Sequence, residues 1–292
     1  MAEQTKKRKA SFRFTEEQEK QIIIEYQQGS SMRTLGTKYS CSPSTIKNIL
    51  TRHDIQSRTL SEARRNYLNY TINEDIFENI DTPDKAYWLG VFYSDGYISK
   101  ANDYTNYFGI SVQASDIAWL EKLKQFLNYS GEIKHYLTGE GSFKPGAEYV
   151  RLLIGNNKIV ADLEKWGVVE HKTKVINKLP DIQYLDDFIR GYNDGDGSLA
   201  KRLPHFAISG NKDFLESIAK YFNLPYKLYE DKTIYSLQYN KNCSEYLEKR
   251  LYKNATSYLD RKYEIATRSF NSPIILEDII ANPEYQGKSL EL

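Results

Sequence analysis

Cysteine, histidine and long apolar runs are scarce in this 292-residue chain, and each shortage closes off a class of protein. The two cysteines, Cys41 and Cys243, lie far apart, which excludes a disulfide framework and a cysteine-based zinc site and suits a reducing compartment. The four histidines, His53, His135, His171 and His205, show no ligand spacing, so a histidine-rich metal centre is excluded as well. No apolar run approaches the roughly 18 residues of a membrane span, and the N-terminus is polar, so a soluble, cytoplasmic protein is expected. Excess charge is also lacking: 40 Lys and Arg stand against 39 Asp and Glu. The balance is uneven along the chain, however, with 13 basic against 7 acidic residues in 1–70, and 27 against 32 in 71–292. That asymmetry points to a basic module joined to a larger one, and 292 residues suffice for both. Tyrosine is plentiful at 24 residues, which suits strands packed on one face and polar on the other; Tyr-, Lys- and Asn-rich usage also suits an AT-rich genome such as that of a phage.

The N-terminal segment opens with a basic run, Lys6, Lys7, Arg8 and Lys9 followed by Arg13, that reads as an arm for phosphates. Thr15 and Gln18 form the spacing of a capping box, and the helix it starts runs to about Gln28 through Ile22, Ile23 and Tyr26 before Gly29 ends it. A second helix over Ser31 to Tyr39 buries Met32 and Leu35, and Pro43 at a first helical position opens a third. Three short helices with a tight turn before the third describe a helix-turn-helix, or more plainly a small trihelical packing domain. The stretch GSSMRTLGTKYSCSPSTIKNILTRHDI resembles the DNA-binding modules of resolvases, invertases and transposases. That resemblance implies a third helix in the major groove, presenting Ser42, Ser44, Thr45, Lys47 and Asn48. This domain is expected over residues 1–55, with a part-helical, part-extended linker over 56–83.

Beyond Asp84 the chain repeats itself. LGVFYSDG (Leu89 to Gly96) has its counterpart in RGYNDGDG (Arg190 to Gly197), LEKLKQFL in LESIAKYF, and LIGNNKIVADLEK in LQYNKNCSEYLEK. Each copy reads as helix, strand pair, helix, strand pair, helix. Alternating patterns place strands at Tyr107 to Gln113, Glu148 to Ile154 and Thr233 to Tyr239. The expected fold is therefore α+β: two pseudo-symmetric αββαββα repeats, about 84–180 and 181–270, with a tail over 271–292.

Both copies carry a glycine, four residues, then Asp-Gly at the end of the first helix. Gly90 and Ser94, like Gly191 and Gly195, are four apart and share a helix face, so the two helices can pack backbone to backbone. Asp95 and Asp196 then meet at two C-terminal ends, where partial negative dipoles add to the two carboxylates. Gly96 and Gly197 are expected to supply left-handed turns that end the helices. Such a pair of acids repels itself unless a cation joins it, and hard oxygen ligands point to Mg²⁺, the arrangement of a phosphodiester-cleaving centre. Asp-Gly alone is a common turn; the repetition in one frame carries the argument.

The pair, and the phrase AYWLGVFYSDGYI above all, resembles the two signature helices of LAGLIDADG homing endonucleases in their monomeric form, over about residues 84 to 270. The resemblance implies two four-stranded sheets forming a saddle over double-stranded DNA, Asp95 and Asp196 as catalytic acids and metal ligands, and cleavage of both strands across the minor groove with short 3′ overhangs. A monomer with no obligate protein partner is implied too. Asp194 is matched by Tyr93 in the first copy and is left out of the pair. DNA contacts are expected from Ser99, Lys100, Asn102, Gln113, Lys134 and Arg151 in the first copy, and from Lys201, Arg202, His205, Lys227 and Gln238 in the second. Lys241 is expected as the assisting basic residue, although Asn157 holds its first-copy position. Arg261 and Lys262, in YLDRKYEIA, are expected to be structural or phosphate-contacting. Two other functions stay open on the sequence: a non-cleaving transcription regulator on the same fold, and an RNA maturase assisting intron splicing.

Overall fold

The computed structural model describes residues 14–58, 70–100, 105–142, 144–170, 172, 175–232 and 234–268. The basic run at 6–13 and Asn102 lie outside them. The chain divides into two compact units, Met1–Tyr70 and Thr71–Leu292.

The first unit holds α1 (Glu16–Gln27), α2 (Met32–Lys38) and α3 (Pro43–Arg52). The capping box forms in full: the Gln18 amide donates to Thr15 Oγ1 at 3.2 Å and the Thr15 amide to Gln18 Oε1 at 2.9 Å. Ser31 and Ser42 cap the next two helices through their side chains, and Pro43 sits where its missing N–H costs nothing. Ile22, Tyr26, Leu35, Ile46, Ile49 and Leu50 form the core, while Met32 is only half-buried against it. The Glu19 carboxylate, nearly buried, is held by Arg52 and, at 2.9 Å, by His53.

The second unit begins earlier than residue 84. Residues 71–82 were expected to be linker, yet Phe77 is fully buried, its ring packing edge-on against Phe92 at 5.5 Å, and its carbonyl accepts from Trp166 Nε1 at 2.8 Å. The first repeat then runs α4 (Pro83–Ser94), β1 (Gly96–Lys100), β2 (Asn106–Gln113), α5 (Ile117–Phe126), β3 (Lys134–Leu137), β4 (Glu148–Gly155) and α6 (Asn157–Lys165). The second runs α7 (Leu185–Asp196), β5 (Gly197–Leu199), β6 (Phe206–Gly210), α8 (Lys212–Phe222), β7 (Tyr226–Asp231), β8 (Ile234–Tyr239) and α9 (Lys241–Tyr252), followed by α10 (Asp260–Thr267). Each repeat makes one antiparallel four-stranded sheet, ordered β1-β2-β4-β3 and β5-β6-β8-β7. The identical order is the twofold repetition expressed in space.

Alternation gives each sheet one apolar face. Phe108, Ile110, Val150, Leu152 and Ile154 are buried in the first sheet, and Phe206, Ile208, Leu237 and Tyr239 in the second. The helices cover that face and leave the other open. α4 is buried along almost its whole length because it lies between its sheet and α7, and its Trp88 ring packs against Trp119 and Phe126 of α5, each at a ring separation of 6.0 Å.

Candidate active site

Two glycines determine how closely α4 and α7 approach. A methyl group built on Gly90 would stand 2.0 Å from the Phe188 carbonyl oxygen, and one built on Gly191 would stand 2.0 Å from the Tyr87 carbonyl oxygen. Each glycine thus faces the carbonyl three residues before the other glycine, a reciprocal contact across the pseudo-twofold. Gly195 comes next along the seam, where a methyl would meet Ser94 Oγ at 2.0 Å and Asp95 Oδ2 at 2.8 Å. Ser94 in turn donates its hydroxyl to the Val91 carbonyl at 3.1 Å, so it stays folded onto its own helix. The small-residue face read from the sequence is what brings the helix ends together.

Those ends carry the acids. Asp95 caps α4, its amide donating to the Val91 carbonyl at 3.0 Å, and Asp196 is the last residue of α7. Asp95 is partly buried, and its carboxyl is raised from 3.8 to about 6, first by burial and then by the charge of Asp196. Asp196 has more solvent, yet the protein behind it also lifts its carboxyl above the ordinary range, against the pull of Lys172 and Lys262 and a hydrogen bond from Tyr192.

The expected left-handed turns at Gly96 and Gly197 are not there. Gly197 is extended, with φ −101° and ψ 170°, and Gly96 is not among the residues of positive φ. Both glycines open strands, and space is what they provide: a methyl on Gly96 would lie 2.6 Å from Phe92 Cα, and one on Gly197 would lie 1.9 Å from Asn193 Oδ1. The strand leaves the helix so abruptly that it folds back over the last turn.

Two lysines flank the acids, and sequence reasoning gave neither of them this position. Lys262 Nζ donates to the carbonyls of Asn193, Asp194 (2.9 Å) and Gly197 (2.7 Å), which uses all three of its N–H bonds to close the C-terminal end of α7. Burial brings it down to about 8. Lys172 Nζ donates to the Gly96 carbonyl, the position that corresponds to Gly197 in the first repeat; burial lowers it too, while both acids pull it back up. The signal for the pair was present as Glu170-His171-Lys172 and Asp260-Arg261-Lys262, an acid, a basic or imidazole side chain and a lysine after the last helix of each repeat. Lys241, the residue expected to assist, opens α9 as an exposed side chain and is not among the charges acting on either acid.

Among the described residues, no group of three or more His, Cys, Asp and Glu side chains clusters. At the meeting helix ends the described residues offer two carboxylates, Asp95 and Asp196. Mg²⁺ suits such a sparse set, because it keeps several waters and takes one or two carboxylates together with phosphate oxygens.

On the open face of the first sheet, Lys134 pairs in register with Arg151. Arg151 donates to Ser111 Oγ at 3.1 Å and lies 5.1 Å and 5.6 Å from the rings of Tyr136 and Tyr149. Those rings stack at 5.3 Å, and Ser99 and Gln113 share the face. Lys100 has the opposite parity and is committed to Glu164 at 2.7 Å, so it does not join them. In the second sheet Lys227 and Gln238 are register partners on the open face. Lys201, Arg202 and His205 lie in the β5–β6 connection rather than on a strand, and the His205 amide donates to Glu248 at 3.1 Å. In the first unit Ser44, Lys47 and Asn48 are exposed at the start of α3 and Thr45 is half-buried. Ser42 Oγ is occupied as the cap, 2.7 Å from Ser44 Oγ and 2.9 Å from Thr45 Oγ1.

No helix among the described residues is long and apolar enough to cross a membrane. No protein-family model matches this sequence, and no curated protein does. Among solved structures the chain is similar to the LAGLIDADG meganuclease I-AabMI bound to uncleaved DNA, at 14% identity and a TM-score of 0.42, covering 68% of this chain and 95% of that one. It is similar to I-DmoI in complex with DNA and Ca, at 16% identity and a TM-score of 0.44, covering 67% and 98%. The LAGLIDADG homing endonuclease I-SmaMI bound to cleaved DNA is a third, at 14% and 0.43, covering 68% and 95%.

Proposed function

We propose that this chain is a divalent-metal-dependent DNA endonuclease of the LAGLIDADG kind, with Asp95 and Asp196 as its catalytic pair. One observation carries the proposal: two carboxylates at the touching ends of two helices, with burial raising both, and beside them two lysines, Lys262 buried and Lys172 half-buried. Two like charges are costly in such a place unless a cation is to be held there. Asp95 and Asp196 would hold Mg²⁺, which when bound activates a water and stabilises the leaving oxygen of a phosphodiester.

The remaining work belongs to the chain itself. Lys262, with every N–H bond committed to a carbonyl, acts through its charge rather than as a proton donor. Lys172 places a second positive charge beside both acids, and together the two lysines favour the approach of a phosphate to a doubly acidic site. The open sheet faces supply the contacts to a long duplex: Lys134, Arg151 and Gln113 in one repeat, Lys227 and Gln238 in the other. Because the two repeats are unlike, the recognised site is asymmetric, and one chain supplies both halves.

To test this, the full chain is incubated with Mg²⁺ and a library of plasmids carrying random inserts, and the broken ends are sequenced. One recurrent cut site that disappears with EDTA is the expected result; duplex binding without breakage under any divalent metal would refute the proposal and leave a DNA-binding regulator.

We assign the first unit to nonspecific and groove contacts with the same DNA, through Ser44, Lys47 and Asn48 and the net charge of residues 1–70. Deleting residues 1–70 is expected to weaken duplex binding and flatten its dependence on salt, since each phosphate contact contributes a slope of about 0.9 in log–log form. The cut position is expected to stay where it was, as ends mapped at nucleotide resolution will show.

A further inference from the structure

Asp194 and Tyr93 hold matching places in the two repeats, each two residues before the catalytic acid, and they have nothing chemical in common. Their contacts do. Asp194 is buried and faces the chain that follows the last helix of its repeat: Oδ2 accepts from the Leu259 amide at 2.8 Å, where α10 begins, three residues before Lys262. Tyr87 and Tyr252 donate to it at 2.7 Å and 2.6 Å, and Trp119 Nε1 donates to Tyr87 at 2.7 Å, so the carboxylate is fixed from both repeats. Tyr93 is buried against the rings of Phe188 and Phe214, and its hydroxyl donates to the Trp166 carbonyl, in the segment after α6 that leads to Lys172. The space for that hydroxyl comes from Gly167, where a methyl would lie 2.6 Å from it and where φ is +96°.

We infer that Tyr93 and Asp194 are positioning residues: each ties the post-helical segment of its own repeat to the central helix pair, and so holds that repeat's lysine against the carbonyl beside its acid. This rests on the reading of Asp95, Asp196, Lys172 and Lys262 as the reacting cluster. The asymmetry between the two residues follows from reach. In the second repeat the anchored amide is three residues from the lysine and a carboxylate receives it. In the first the anchor is a carbonyl six residues away, so a donor on a longer side chain is needed. Neither residue touches the acids, and each acts through the lysine of its own half, so their losses are expected to fall on different DNA strands.

Two variants, Tyr93→Phe and Asp194→Asn, test this in the full chain, with wild type, Asp95→Asn and Asp196→Asn alongside. The substrate is a duplex carrying the cut site recovered from the plasmid library, labelled separately on each strand. Each positioning variant is expected to slow one strand about tenfold more than the other, as loss of an outer-sphere partner does, with nicks accumulating in opposite strands for the two. Backbone hydrogen exchange gives a second readout that needs no DNA: Asp194→Asn raises exchange at 258–263 and leaves 163–170 unchanged, and Tyr93→Phe does the reverse. Equal slowing of both strands, nicking of the same strand by both variants, or exchange that rises everywhere or nowhere overturns the inference. Tyr93→Phe, which removes one hydroxyl, keeps the test open should Asp194→Asn fail to fold. If wild type cuts nothing, the endonuclease reading fails, and the exchange pattern still decides whether positions 93 and 194 hold the two segments.

Discussion

Asp95→Asn and Asp196→Asn are each expected to cut cleavage by about a thousandfold or more, because an acid that helps hold the metal carries several kcal/mol of transition-state stabilisation and each 1.36 kcal/mol is a factor of ten. Duplex binding, measured by gel shift, is expected to persist, since the open sheet faces and the first unit are untouched. Stability gives an independent readout for Asp95. Its folded carboxyl is raised to about 6, so ionising it costs the fold; the penalty is present above about pH 6 and absent below the ordinary value of 3.8. Removing the charge therefore stabilises the metal-free protein at pH 7.5, by about 1–2 kcal/mol once partial exposure is discounted. For a unit of this size that is a rise in Tm of about 2–8 °C, and the difference should vanish near pH 4. Adding Mg²⁺ should then raise the Tm of wild type more than that of the variant. Wild-type cutting rates in both variants would remove the pair from the site.

Much of this arrangement was legible in the sequence because close packing and alternation leave strong marks. Only glycine or serine fits where helix backbones touch, so Gly90, Ser94, Gly191 and Gly195 announced the seam, and the strand faces followed from period-two patterning. What was lost lay where local pattern is weak. Lys100 was expected to contact DNA alongside Ser99, although it ends β1 with the parity of buried Ile98, and a shift of one residue reverses a strand's side chains. Phe77 and Ile80 looked like part of a linker because Glu74, Asp75, Glu78 and Asp81 surround them, yet both are buried. Lys172 follows α6 and Lys262 sits in the first turn of the short helix α10, both outside the motifs matched between the repeats, so only the alignment of Glu170-His171-Lys172 with Asp260-Arg261-Lys262 could have flagged them. Gly96 and Gly197 were correctly singled out, with conformation given as the reason where space is the actual one.

Space also sets the largest structural effect. Gly90→Ala or Gly191→Ala places a methyl 2.0 Å from a carbonyl oxygen of the facing helix, and that neighbour is backbone, which no rotamer change can move. Overpacking of this kind exceeds the 1–3 kcal/mol typical where side chains can give way, so about 3–5 kcal/mol is expected for each. At about 2–4 °C per kcal/mol, the Tm of the second unit should fall by roughly 6–20 °C. The helices can avoid the clash only by separating, which also parts Asp95 from Asp196, so Mg²⁺-dependent cleavage should fall even at temperatures where the variant stays folded. Gly139→Ala and Gly141→Ala are the controls: a methyl at either site meets nothing within 4 Å, and neither should alter melting or cutting. Should the seam variants melt like the controls, close backbone contact would not be what joins the two repeats, and the shared position of the acids would need another cause.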